Sequence, residues 1–175
     1  MRNIIDIPKY TMDFESINKI CCDLRYDEVK PAIGFTCSSF DLLHSGHYLM
    51  LEDCKSHCDV LIVGLQDDPT IDVKYRMQTG GKNKNRPIQS YEERLIQISG
   101  VKYVDYVVRY STEGELYELL QLINPDIRMI GEDWRGKEFT GHDLDIPIHF
   151  NPRSHSYSTS ALRRRVYEAE KTKYE

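Results

Sequence analysis

An α/β domain is what this sequence predicts: a Rossmann-like, doubly wound, parallel five-stranded sheet with helices on both faces. Three observations carry it. Apolar strand-like runs alternate with segments of helical length, the pattern that gives parallel strands joined by crossover helices. One of these runs, "VLIVGL" (60–65), is almost purely apolar, as a central strand covered on both faces must be. The unusual polar motifs fall just after the strands, where ligands bind in sheets of this kind.

Taken in order, residues 1–30 read as an N-terminal helical extension. "MDFESINKICCDL" spaces Phe14, Ile17, Ile20 and Cys21 as a helix does, and "DEVKP" ends it. Residues 31–175 read as the main domain. "AIGFTCS" (32–38) is a buried strand, and "GHYLMLEDCKSHC" (46–58) a helix with Leu49, Met50 and Cys54 turned inward. After "VLIVGL" comes a polar stretch at 67–89, rich in Gly, Lys and Asn. It reads as a long mobile loop, and loops of that length inside a compact domain usually carry function. "SYEERLIQIS" opens with a capping box, Ser90 and Glu93. "YVDYVVRY" (103–110) is the third strand. A second box, Thr112 and Glu115, starts the helix that Pro125 closes. "DIRMIG" (126–131) and "DIPIHF" (145–150) are the last strands, and Ser158 caps a final helix over 158–170.

Composition narrows the function classes. The chain has 175 residues, 40% of them hydrophobic, enough for one domain with a real core. A net charge of −5 argues against nucleic acid as a partner. No apolar run is long enough to cross a membrane, and the polar first residues do not resemble a secretory signal. Five cysteines, an odd number with no signal before them, suggest reduced thiols in a cytoplasm. Cys54, His57 and Cys58 share one helix. Without a second ligand cluster at zinc spacing, they read as an amphipathic helix rather than a metal site.

The chemistry concentrates in "SSFDLLHSGHYLML" (38–51). His44 and His47 stand about one turn apart at a helix start, where free N–H groups and the helix dipole favour an anion. Gly46 leaves the backbone open to a phosphate. The competing reading is a pair of ordinary helix-cap histidines, and the residues alone leave both open.

The stretch resembles the (T/S)FDxLHxGHxxxL signature of the cytidylyltransferase-like nucleotidyltransferases. "SYEER" (90–94), "YVDYVV" (103–108), "GEDWRGK" (131–137) and "RSHSYSTSALRRRV" (153–166) follow in the order and spacing of glycerol-3-phosphate cytidylyltransferase, over about residues 32–167. The resemblance implies an in-line attack of an acceptor phosphate on the α-phosphorus of a nucleoside triphosphate, with release of pyrophosphate. His44 and His47 would hold the α- and β-phosphates, and Ser39 and Phe40 would contact the nucleotide. Asp41 would fix the turn or help place the metal-bound nucleotide. Lys74 would meet the acceptor phosphate, and Arg76 the triphosphate. Arg153 with the Ser158–Thr159 helix start would bind the triphosphate tail, while Gly131 and Asp133 face base and ribose. Mg²⁺ is implied as the triphosphate's counter-ion without a protein cage. A homodimer is implied too, with the "SYEER" helix as its expected interface.

On this resemblance the first expectation is transfer of CMP from CTP to a small phosphorylated alcohol. Two features depart from it. Ser38 stands where the family usually has glycine, and Leu116 falls where the glycerol-phosphate enzymes carry an acceptor lysine. "NRPIQSYEER" and "NPDIRMIGED" are similar also to the nucleotidyltransferase domain that activates heptose 1-phosphate with ATP, so adenylyl transfer to a sugar 1-phosphate is the alternative. A third reading is a nucleotide-binding regulator without catalysis, against which His44, His47, Lys74 and Arg153 argue together. Arg163, Arg164 and Arg165 read as a solvated helix face.

Overall fold

The structure, a computed structural model, describes residues 13–26, 28–72, 84–171 and 173. A five-stranded parallel sheet runs through it in the order β3-β2-β1-β4-β5. The strands are β1 (Ile33–Ser38), β2 (Val60–Gln66), β3 (Tyr106–Tyr110), β4 (Ile127–Gly131) and β5 (Ile148–Asn151). The helices are α1 (Phe14–Tyr26), α2 (Ser45–Ser56), α3 (Tyr91–Ser99), α4 (Glu113–Ile123) and α5 (Thr159–Lys171).

The central β2 feeds two cores, because successive side chains of a strand face opposite ways. Ile62 joins Phe35, Val108, Leu116, Leu119, Leu120 and Ile123 beneath α1 and α4. Leu61, Val63 and Leu65 join Leu51, Cys54, Ile98 and Val107 beneath α2 and α3. Ile17 and Cys21 of α1 are fully buried in the first core. Arg25 of α1 donates to the carbonyls of Ile123 and Asn124. It thereby serves acceptors left unpaired at the end of α4, where Asn124 takes a left-handed φ of 43°.

The expected caps form. Ser90 Oγ accepts from Glu93 N at 3.2 Å, and the Glu93 carboxylate accepts from Ser90 N at 2.7 Å. Thr112 accepts from Glu115 N, but the Glu115 carboxylate reaches back to Ser111 N instead of Thr112 N. Three details depart from the sequence reading. Leu49 is exposed and Leu51 takes the buried place, since α2 starts at Ser45 and its inward stripe falls on Leu51 and Cys54. Residues 103–105 form a turn before β3, held by the Asp105 carboxylate on Leu61 N. β5 begins only at Ile148, after Pro147, whose nitrogen has no hydrogen for a ladder bond.

Candidate active site

The site is built at the carboxyl ends of β1 and β4, where two helix N-termini meet. The loop leaving β1 turns sharply, with Phe40 and Leu42 at φ 47° and 48°. Left-handed backbone costs an ordinary residue roughly 1–2 kcal/mol, so the surroundings must hold it. Phe40 is buried against the second core, 5.3 Å from the His47 ring. Leu42 N donates to Gln89 Oε1 at 2.8 Å. Asp41 Oδ1 accepts from Ile88 N and Gln89 N, both at 3.0 Å, and Oδ2 from Arg163 Nη2 at 2.6 Å. Burial alone would raise the Asp41 carboxyl; the Arg163 bond and the two N–H donors outweigh it and hold the group below the usual range. Asp41 thus ties the turn to the backbone at 88–89 and to α5 through Arg163.

His44 and His47 make the cap of α2 themselves. His44 Nδ1 accepts from Gly46 N at 3.1 Å, and His47 Nδ1 accepts weakly from His44 N at 3.4 Å. The rings stack with centroids 3.9 Å apart. The cap reading and the anion-site reading thus describe one geometry. An Nδ1 that accepts a hydrogen bond leaves the hydrogen of a neutral imidazole on Nε2, so each ring keeps a donor on the side away from the backbone. Burial, with His44 alongside, pushes the His47 imidazole down to about 3. Burial and the nearby His155, Arg153 and Arg165 lower that of His44. Both rings are neutral donors at pH 7.

The N-terminus of α5 docks on this pair. Thr159 Oγ1 lies 3.3 Å from His44 Nε2 and 3.3 Å from the Asp41 carbonyl. Ser158 Oγ caps α5 through Ala161 N at 3.1 Å. Arg153, exposed just before the helix, donates to Tyr157 O at 3.4 Å. Arg163, one turn after Thr159, is not the solvated charge expected of it: it bonds Asp41 and the Arg86 carbonyl. Two helix N-termini and several basic groups thus surround two neutral donors, a cradle whose chemistry suits an anion such as a phosphate.

The remaining expected residues divide. Ser39 lends its carbonyl to Arg94. Gly131 ends β4, level with Asn151 of β5. A side chain at Gly131 would meet the Asp133 carboxylate at 2.5 Å, a contact that the exposed Asp133 side chain must turn away to relieve. Lys74 and Arg76 lie outside the described residues.

Two contributors escaped the sequence reading. Arg94, only 2% exposed, donates to five backbone carbonyls: Ser39, Gln66, Asp67, Gln89 and Ser90. It ties the ends of β1 and β2 to the start of α3. Its signal was present, because Tyr91, Arg94 and Ile98 share one helix face, and that face is buried. His155 packs over Gly46; a methyl group at Gly46 would lie 2.9 Å from its ring. The glycine is needed for that close approach as well as for access to the backbone.

Comparison with known proteins agrees with this geometry. Residues 35–165 match the family described as cytidylyltransferase-like. Proteins named "Bifunctional protein HldE" are similar: that of Wolinella succinogenes is 38% identical over 152 residues, covering 87% of this chain and 30% of its own length. The Aliarcobacter butzleri protein is 34% identical, covering 90% of this chain and 31% of its own. The chain thus spans less than a third of these relatives. Among solved structures, a lipopolysaccharide core biosynthesis protein from Thermoplasma volcanium aligns with a TM-score of 0.56 and 25% identity, covering 71% of this chain and 99% of that one. A pantoate-beta-alanine ligase from Francisella tularensis shares the fold, with a TM-score of 0.57 at 18% identity over 87% of this chain and 73% of that one. With the two-histidine helix start inside the matched span, the parallel sheet beneath it and these relatives around it, the chain belongs to the cytidylyltransferase-like family of nucleotidyltransferases.

Proposed function

We propose that this chain transfers AMP from ATP to a sugar 1-phosphate of the heptose type and releases pyrophosphate. The observation that carries the reaction class is the pair of imidazoles whose Nδ1 atoms are spent on the α2 cap, leaving two Nε2–H donors beside merging helix N-termini. An oxygen of the acceptor phosphate attacks the α-phosphorus as the bond to the bridging oxygen of pyrophosphate breaks. The acceptor phosphate is already an anion, so no general base is needed. Catalysis is then positioning and stabilisation of charge on the phosphoryl oxygens, which preorganised neutral donors supply. Arg153 and the α5 start take the triphosphate tail, Gly131 and Asp133 face base and ribose, and Lys74 meets the acceptor. Mg²⁺ accompanies the triphosphate. Both Asp41 oxygens are engaged by protein donors, which supports the ion being carried by the triphosphate rather than by this carboxylate.

The choice of substrate pair rests on two supports. Leu116, at the position of the acceptor lysine of the glycerol-phosphate enzymes, is 3% exposed in the core beneath α4, which speaks against glycerol 3-phosphate. The HldE relatives match over nearly the whole chain, in line with the similarity of "NRPIQSYEER" and "NPDIRMIGED" to the heptose 1-phosphate domain. The second reading, CMP transfer from CTP to a phosphorylated alcohol, keeps two supports, the "GEDW" segment at the end of β4 and the spacing of the "RSHSYST" segment leading into α5.

The test is pyrophosphate release with Mg²⁺ and each of ATP, CTP, GTP and UTP against heptose 1-phosphates, other sugar 1-phosphates and glycerol 3-phosphate. Turnover with ATP and a heptose 1-phosphate is expected. Turnover only with CTP and glycerol 3-phosphate makes the second reading correct. Nucleotide binding with no turnover across the panel makes the chain a regulator.

A further inference from the structure

Away from the phosphate cradle, the far end of α2 meets β5 in a second cluster. Asp53 on α2 and His57, which caps the helix's C-terminus, stand one turn apart, and His149 reaches them from β5. One donor atom from each lies within 4.8 Å of the others. His149 Nε2 is 2.8 Å from Asp53 Oδ2, and His57 Nε2 is 3.8 Å from Asp53 Oδ1. The two rings sit 3.8 Å apart at 38°.

We propose that Asp53, His57 and His149 form a binding site for a borderline divalent transition cation such as Zn²⁺, with water completing the coordination. Tetrahedral zinc holds N and O donors at about 2.0–2.1 Å, which sets them roughly 3.3 Å from one another. The two distances to Asp53 bracket that value, and with all three donor atoms within 4.8 Å of one another modest side-chain rotations close the site. Two imidazoles and one carboxylate suit Zn²⁺ or Co²⁺, whereas Mg²⁺ prefers oxygen donors throughout. The side chains are 24–39% exposed, which leaves solvent a path to the open positions.

The surroundings support the assignment. Asn151 Nδ2 donates to the same Asp53 Oδ2 at 2.8 Å and orients the carboxylate, as groups behind a metal ligand do. Its own Oδ1 is buried without a hydrogen-bond partner among the described residues, so protein atoms alone do not complete this polar pocket. The cysteines grouped with His57 in the sequence are not part of it. Cys58 packs against Gly34, and burial pushes its thiol up to about 11 and that of Cys54 to about 12. When the cation enters, His149 Nε2 must offer its lone pair, so the hydrogen it shares with Asp53 leaves for solvent or the ring changes tautomer. The bound ion would then staple α2, which begins at the histidine pair, to the strand that leads to Arg153.

The proposal is tested on the untagged full chain, stripped with chelator and titrated with Co²⁺ (ligand-field absorption) and Zn²⁺ (calorimetry), without nucleotide. One equivalent per chain is expected, together with a thermal midpoint that rises with Zn²⁺. His57→Ala and His149→Ala should each weaken binding at least about tenfold, while His142→Ala, a change at an exposed histidine outside the cluster, should bind as the parent does. Far-ultraviolet circular dichroism shows whether the variants are folded. No uptake by the parent protein, or affinity unchanged in both folded alanine variants, overturns the site. The readout is metal content and affinity, so it stands or falls apart from any transferase activity.

Discussion

Replacing the buried Arg94 should destabilise the protein strongly. Its guanidinium donates to five carbonyls at 2.6–3.3 Å from three separate segments, and it is 2% exposed. Hydrogen bonds to a charged group contribute about 1.5–3 kcal/mol each. Against that stands the cost of burying the charge, which lowers the guanidinium from its ordinary value despite Asp41 and Asp67 nearby. Removing one partner from a buried charged arrangement typically costs about 3–5 kcal/mol, and that is the loss expected for Arg94→Met. It is a large share of the roughly 5–15 kcal/mol that holds a domain folded. Arg94→Lys keeps the charge but offers three donors from one point, so it should lose about 1–3 kcal/mol. Urea unfolding followed by circular dichroism measures both. A shift in the Arg94→Met midpoint worth less than about 1 kcal/mol, with an unchanged slope, would show that water replaces the guanidinium at these carbonyls and that Arg94 is not the tie between the strand ends.

His44→Ala and His47→Ala should each lower turnover by roughly 10²–10³-fold, with a smaller change in nucleotide affinity, since each removes one preorganised donor; single-turnover kinetics on either variant retaining more than about a third of parental turnover refutes the role. Gly46→Ala places a methyl group 2.9 Å from the His155 ring and 3.0 Å from that of His44, so nucleotide affinity measured by calorimetry should fall at least about tenfold while the fold survives. Acid should weaken the fold through His47: with its imidazole at about 3 in the folded chain and about 6.5 unfolded, only the unfolded chain gains a proton between these values. The resulting stability is complete well above pH 6.5 and is lost as pH falls toward 3, by about 3 kcal/mol at pH 4.5. His47→Asn, which does not titrate, should therefore show a flatter stability profile over that window; parallel urea midpoints for the two proteins would contradict this.

What the sequence determined by itself is whatever depends on neighbours a few residues apart. The apolar run at 60–65 can only be an inner strand, and the Ser90–Glu93 box forms because a capping residue and its partner three positions on meet in any helix. The same locality placed His44 and His47 on one helix start, and made their cap geometry and their donor geometry a single arrangement. Local spacing misplaced Leu49, because which stripe of α2 faces inward depends on where the helix starts and on what the sheet presents to it. Arg163 looked solvated because its partner Asp41 is 122 residues away, and His57 looked like one polar residue among core cysteines because His149 arrives from another strand. Such pairs exist only once β1 lies beside β4 and β4 beside β5, which brings the ends of α2 against β5 and the start of α5. Tertiary structure alone decided them, because a charge or an imidazole acquires its chemistry from whatever the fold sets within about 4 Å of it, and strand order is not written in any short window of the chain.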